Sequence, residues 1–263
     1  MNILETIIEE KKSEVRNKKL EMSVSDLEKT DFFKRETLSL MKFLPDETRT
    51  GIIAEFKKKS PSKGIINGNA NVVEITLAYT KNGASALSVL TDEKFFGGSS
   101  DDLIKARVNE IPILRKDFVI DEYQIIEAKS IGADAILLIA ACLSPQQVKT
   151  LAKFAKSLKL EVLLELHTEE ELEHICDETE IVGINNRDLK TFTVDIERSL
   201  KMAEKIPANK IKVAESGINS VENILLFKQN GFNGFLIGEI FMKAENPAIA
   251  FASFVNKLKT VSA

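Results

Sequence analysis

Short apolar runs alternate with amphipathic segments along most of this chain. The runs fall at 52–56, 86–90, 113–115, 135–140, 162–166, 181–185, 211–214 and 234–237. Each is too short for a helix and lacks a 3.6-residue period, which predicts buried strands. Between them, 72–82, 101–108, 122–131, 145–158, 169–176, 196–205 and 221–229 place apolar residues at helical spacing. Several of these segments open on a capping residue, as at Ser144-Pro145 and Asn219-Ser220. Several close on glycine, as at Asn82-Gly83, Ile131-Gly132 and Asn230-Gly231. Ahead of the repeat, 3–20 reads as a charged amphipathic helix and 32–43 as a second, shorter one, closed by Pro45.

A strand followed by a helix, repeated eight times over this length, predicts an α/β fold: a single-domain (β/α)8 TIM barrel with a helical N-terminal extension. The expected division is 1–47 for the extension and 48–263 for the barrel that carries the active site. The extension would cover one end of the barrel or help shape a pocket. An open doubly wound sheet is the main competitor. It would put a glycine-rich fingerprint after its first strand, and Ser60-Pro61-Ser62-Lys63-Gly64 is not one.

Barrels build their active sites at the carboxyl ends of the strands, so the residues that end each run are the informative ones. The first run ends in Glu55 and Lys57, the third in Lys116-Asp117 and the fifth in Glu165. The sixth ends in Asn185-Asn186-Arg187, the seventh in Glu215-Ser216-Gly217 and the eighth in Gly238-Glu239. Alternation places Glu55, Lys57 and Lys59 on one side of the first strand and Phe56 and Lys58 on the other. Each charge taken alone is equally well a solvated strand end; together they would converge on one mouth.

Composition narrows the class. The 263 residues, 44% hydrophobic and 29% charged, suffice for a full core. A net charge of -4 and a pI near 5.5, with lysines interleaved among glutamates, argue against a nucleic-acid partner. No apolar run reaches membrane-spanning length and the N-terminus lacks a signal-peptide pattern, so no membrane partner and a cytoplasmic location are expected. Cys142 and Cys176 share no paired spacing, and His167 and His174 form no ligand set with them. The expectation is two unpaired thiols, two ordinary surface histidines and no metal.

The segments 53–62, 88–99, 114–118, 183–189 and 214–217 (IAEFKKKSPS, SVLTDEKFFGGS, LRKDF, GINNRDL and AESG) resemble the indole-3-glycerol-phosphate synthase family, in order and along the whole chain. The resemblance implies ring closure of 1-(2-carboxyphenylamino)-1-deoxyribulose 5-phosphate to indole-3-glycerol phosphate in tryptophan biosynthesis. Carbon dioxide and water would be released without a metal or organic cofactor. It implies that Lys116 is a general acid, that Lys57 contacts the substrate carboxylate and delivers protons, and that Glu165 and Glu55 share the remaining acid–base work. Asn185 would orient a substrate hydroxyl, and Glu215 would hold a lysine or a substrate hydroxyl. Arg187 would meet the substrate carboxylate, and Phe96, Phe118 and Leu137 would wall the anthranilate ring, although core packing explains those three equally well. Ser60 and Ser216 would touch substrate. Gly217, Gly238 and the Glu239 backbone amide would receive the phosphate, with Glu239 opening a short helix.

The partner is then a phosphorylated small molecule. A monomer is the expectation, with larger assemblies left open, and the chain would be monofunctional. Two other classes compete: a phosphate-binding barrel of the phosphoribosyl-amine isomerase type, and a non-catalytic barrel that binds a phosphorylated ligand. The first would not need both lysines and both glutamates, and the second would keep the glycines and lose the acid–base set.

Overall fold

In a computed structural model of the chain, which describes residues 3–61, 63–188 and 193–262, eight parallel strands close into a barrel. They are β1 (Ile52–Phe56), β2 (Ala86–Leu90), β3 (Ile113–Lys116), β4 (Ala135–Ile139), β5 (Glu161–Leu166), β6 (Ile181–Asn185), β7 (Ile211–Glu215) and β8 (Gly234–Ile237). Neighbours in sequence are neighbours in the barrel, and β1 closes it by pairing with both β2 and β8. All eight expected runs are strands, with ends within one residue of the sequence reading.

The period of two along each strand divides the residues between two cores. Ile53, Ala86, Leu114, Ala135, Leu163, Ile181 and Val213 fill the barrel interior, where Leu40 and Leu44 from the N-terminal region plug the amino-terminal end. The alternate positions, among them Ile52, Leu87, Ile113, Ile136 and Val182, pack against the surrounding helices. Two residues above the interior apolar layer the same faces carry Glu55, Ser88, Lys116, Glu165 and Glu215. A dry floor therefore lies beneath a charged mouth.

The helices depart from the sequence reading at identifiable places. Residues 32–43 form two separate turns, Asp31–Lys34 and Leu40–Phe43, rather than one helix. The linker is held extended because Leu38 N–H donates to Asp134 at 2.8 Å and the Ser39 hydroxyl donates to Glu161 at 2.5 Å. Those two acids sit at the amino-terminal end of the barrel, and tertiary hydrogen bonds outweigh a weak helical period there. Segment 169–176 is a 3-10 turn, Glu170–His174, pinned when Glu171 accepts the His167 N–H. A long terminal helix, Pro247–Ser262, lay outside the expected repeat, as did a small ribbon pairing Lys59–Ser60 with Gly64–Ile65. No described helix is long and apolar enough to cross a membrane.

Candidate active site

Every residue to which the resemblance gives a role lines one cavity of about 430 Å³ at the carboxyl ends of the strands. At its centre the Lys116 ammonium donates to Glu165 Oε2 at 2.6 Å and to Glu215 Oε2 at 3.0 Å. Asn185 Nδ2 donates to the other Glu165 oxygen at 3.0 Å. Elsewhere in the cavity Lys57 donates to Glu55 Oε1 at 2.6 Å, while the Ser88 hydroxyl approaches Glu55 Oε2 at 3.4 Å. The expected side choice along β1 holds for Lys58, which leaves the mouth to pair with Asp102. Lys59, by contrast, donates to the Lys94 carbonyl and does not line the cavity, because the chain turns into the ribbon there.

Two carboxylates thus share one ammonium, and burial decides how the charge is divided. Burial works against the charged form of Lys116, but Glu165, Glu215 and Glu55 outweigh it and raise its pKa. At Glu165 burial pushes upward, yet Lys116 and His167 hold the carboxyl well below the usual range. At Glu215 burial, reinforced by the neighbouring Glu165 charge, wins over Lys116 and pushes the pKa up to about 8. Near neutral pH the site therefore holds an ammonium, an ionised Glu165 and a protonated Glu215. Glu215 Oε1 is buried with no hydrogen-bond partner among the described residues. It lies over Gly183, where a β-carbon would stand only 2.1 Å from it. That glycine makes room for the acid.

The rest of the cavity is divided between an apolar wall and an anion-like end. Phe96 and Phe118 pack with ring centroids 6.0 Å apart, beside Leu137 and Leu90. Ile3, Leu4 and Ile7 of the N-terminal helix, Ile3–Glu21, also line the cavity, so the extension does shape the pocket. At the β7 and β8 loops, Ser216 and Gly217 both have positive φ, 65° and 69°, and Glu239 begins a short helix after Gly238. A left-handed serine is uncommon and costs strain, which marks this turn as one held by its surroundings. Asn186 helps to hold it, donating to the Ser216 carbonyl at 2.7 Å. The Glu239 carboxylate turns to Arg187, 3.4 Å away. Ser62 and Leu189, which end two of the sequence motifs, lie outside the described residues.

The two histidines are not surface residues, contrary to expectation: both are buried. His167 Nε2 is 3.0 Å from Glu165 Oε1, and the His174 ring sits between the carbonyls of Glu171 and Leu143. For His167 the signal was available, since alternation along β5 puts residues 163, 165 and 167 on one face. Lys11 was also passed over. It reaches from the N-terminal helix to Asp92 and Asp117, 3.0 and 2.9 Å away, and is 1% exposed. Both cysteines are free and half-buried. Among the described residues no group of three or more His, Cys, Asp or Glu side chains could hold a metal ion.

Comparison with known proteins places this site in a family. The model of the indole-3-glycerol phosphate synthase family matches residues 4–254. A protein of that name from Bacteroides thetaiotaomicron is 46% identical over 259 residues, 98% of this chain and 99% of its own. Another from Salinibacter ruber is 41% identical over 267 residues, covering 100% and 98%. Solved structures add the fold alone. A chain of the tryptophan synthase complex of Pyrococcus furiosus is 16% identical with a TM-score of 0.60, covering 81% of this chain and 99% of that one. Tryptophan synthase subunit alpha from Legionella pneumophila is 12% identical with a TM-score of 0.60, covering 84% and 97%. With a family model spanning nearly the whole chain, and relatives matched end to end, this chain belongs to the indole-3-glycerol phosphate synthase family.

Proposed function

We propose that this protein closes the indole ring in tryptophan biosynthesis, converting 1-(2-carboxyphenylamino)-1-deoxyribulose 5-phosphate to indole-3-glycerol phosphate as a carboxy-lyase. The observation that carries the reading is Lys116 held between Glu165 and Glu215 in a cavity that also contains the Lys57–Glu55 pair. Neither rival class from the sequence has a use for both pairs.

The chemistry needs two protons delivered and one removed. The ring carbon that bears the carboxylate attacks the ketone carbon, and the carbonyl oxygen takes up a proton. Carbon dioxide then departs, leaving its bonding electrons with the ring. The new hydroxyl leaves with a second proton as water, and a base removes one proton from the adjacent carbon to form the double bond. Lys116 and Lys57 are the two ammoniums able to donate, and ionised Glu165 and Glu55 are the carboxylates available as bases. Protonated Glu215 suits a hydrogen bond to a substrate hydroxyl, and Asn185, which steadies Glu165, can share that task.

Phe96, Phe118 and Leu137 supply the apolar contact an anthranilate ring requires. Arg187 would meet the substrate carboxylate. The phosphate is assigned to the loops after β7 and β8, where Ser216, Gly217, Gly238 and the Glu239 amide lie, with Ser60 nearby. Residues 1–47 act as a helical extension that helps shape the pocket and 48–263 as the catalytic barrel, in a cytoplasmic protein that needs no partner chain for the chemistry.

The test is to mix the EDTA-treated protein with the carboxyphenylamino substrate and follow indole fluorescence. The chain has no Trp, so its own emission interferes little. A rising signal that tolerates the chelator is expected. Substrate binding without turnover would support a non-catalytic barrel, and neither binding nor turnover would return the isomerase reading.

A further inference from the structure

His167 stands directly behind Glu165 and has no part in the scheme above. Its side chain is 5% exposed, with Nε2 3.0 Å from Glu165 Oε1 and Nδ1 3.8 Å from Glu171 Oε2. The same Glu171 oxygen accepts the backbone N–H groups of His167 and Thr168, which fixes that carboxylate in place. Two carboxylates face the ring, and two further titratable groups lie on the turns beside it. Glu165 faces it from β5 and Glu171 from the 3-10 turn. His174, from the same turn, has its ring on the carbonyls of Glu171 and Leu143. Cys142 follows β4, and its thiol is pushed up by burial and by Glu165 and Glu171, which keeps it neutral.

A neutral imidazole can offer an N–H to one of two flanking carboxylates and must turn a lone pair toward the other. An imidazolium offers an N–H to both. We propose that His167, as an imidazolium bracketed by Glu165 and Glu171, is a positioning residue that keeps Glu165 ionised and fixed between Lys116 and Asn185. The inference rests on the assignment of Glu165 to the ring-closing chemistry. Glu165 then has two hydrogen-bond donors, Lys116 on Oε2 and Asn185 on Oε1, and an ion-pair partner in the His167 ring, whose Nε2 lies 3.0 Å from Oε1. The two donors set the plane of the carboxylate, and the charge of the ring beside it favours its ionised form. Burial of the imidazole favours its neutral form, but the two carboxylates outweigh burial and raise its pKa to about 9.

The chain has only two histidines, so imidazole nitrogen NMR of the wild-type protein resolves His167, with His167→Gln to assign it. Both ring nitrogens of His167 should carry protons near neutral pH, and a neutral ring there overturns the proposal. In kinetics, His167→Leu should lower kcat by about tenfold or more with KM within about threefold, and raise the acidic limb of the pH profile. His167→Gln keeps a donor without the charge; it should recover part of kcat but retain the raised limb. Glu171→Gln should shift the limb in the same direction by less. Variants that lose folded protein while the remainder keeps the wild-type pH profile would make His167 merely structural and overturn the proposal. A wild-type protein that turns over no substrate would instead defeat the reaction assignment, whereas the NMR reads the charge of the ring independently of turnover.

Discussion

Lys116 binds two carboxylates in a site too dry to keep both ionised, and the division between them sets what each can do. Glu165 carries the negative charge, and Glu215 keeps a proton up to about pH 8. Glu215→Gln mimics the protonated acid in shape and donor capacity. It should keep turnover within about tenfold of wild type near neutral pH, because one neutral hydrogen bond is exchanged for another. It should also abolish a fall in kcat that the wild type shows as pH rises through about 8, where the Glu215 proton is lost. A wild-type profile with no such fall, or one that persists in the variant, would contradict the assignment. None of this division was legible in the sequence. Residues 165 and 215 are both glutamates at strand ends, and only burial, the opening over Gly183 and the His167 contact distinguish them.

At the scale of single elements, the N-terminal helix and the β8 loop do the most to complete the mouth. The helix was legible from its period, but an amphipathic pattern tells which face is buried and not what it is buried against. Lys11, in the middle of a charged stretch, reads as solvated; it is in fact the buried bond between that helix and the barrel. Lys11→Met would leave Asp92 without this partner and Asp117 dependent on Arg115 and Thr91. Breaking a buried ion pair from one side should cost about 3 kcal/mol, read as a lowered denaturant midpoint. A shift within about 0.5 kcal/mol would mean that water replaces the ammonium without loss. In the β8 loop a β-carbon on Gly238 would stand 2.7 Å from Glu55 Cβ. Gly238→Val should therefore displace Glu55 and obstruct the anion end, raising KM by about tenfold or more. Unchanged KM would remove Gly238 from the phosphate site.

For the whole molecule, the barrel was readable because its strands are buried on both faces and each is cut off by a polar residue at the mouth. Ile53 below Glu55, Leu114 below Lys116 and Leu163 below Glu165 repeat one rule: apolar floor, charged rim. The helices were less faithful to their periods where side-chain hydrogen bonds to the barrel intervene, as Asp134 and Glu161 do in the segment before β1. The terminal helix, Pro247–Ser262, comes after the last strand–helix unit, so the repeat does not predict it. The site residues were legible for the same reason as the strands, and so was the side on which His167 falls, while Ser88 and Gly183 act through contacts that no single stretch reveals.

The proposed chemistry requires Lys116 to act in the transition state rather than merely hold the ligand, and the measurement that tests it compares product binding with turnover in Lys116→Ala. We predict that kcat falls by about a thousandfold or more while the dissociation constant for indole-3-glycerol phosphate stays within about fivefold of wild type. Equal losses of binding and turnover would show that Lys116 is a ligand contact, and retained turnover would show that another group supplies the proton.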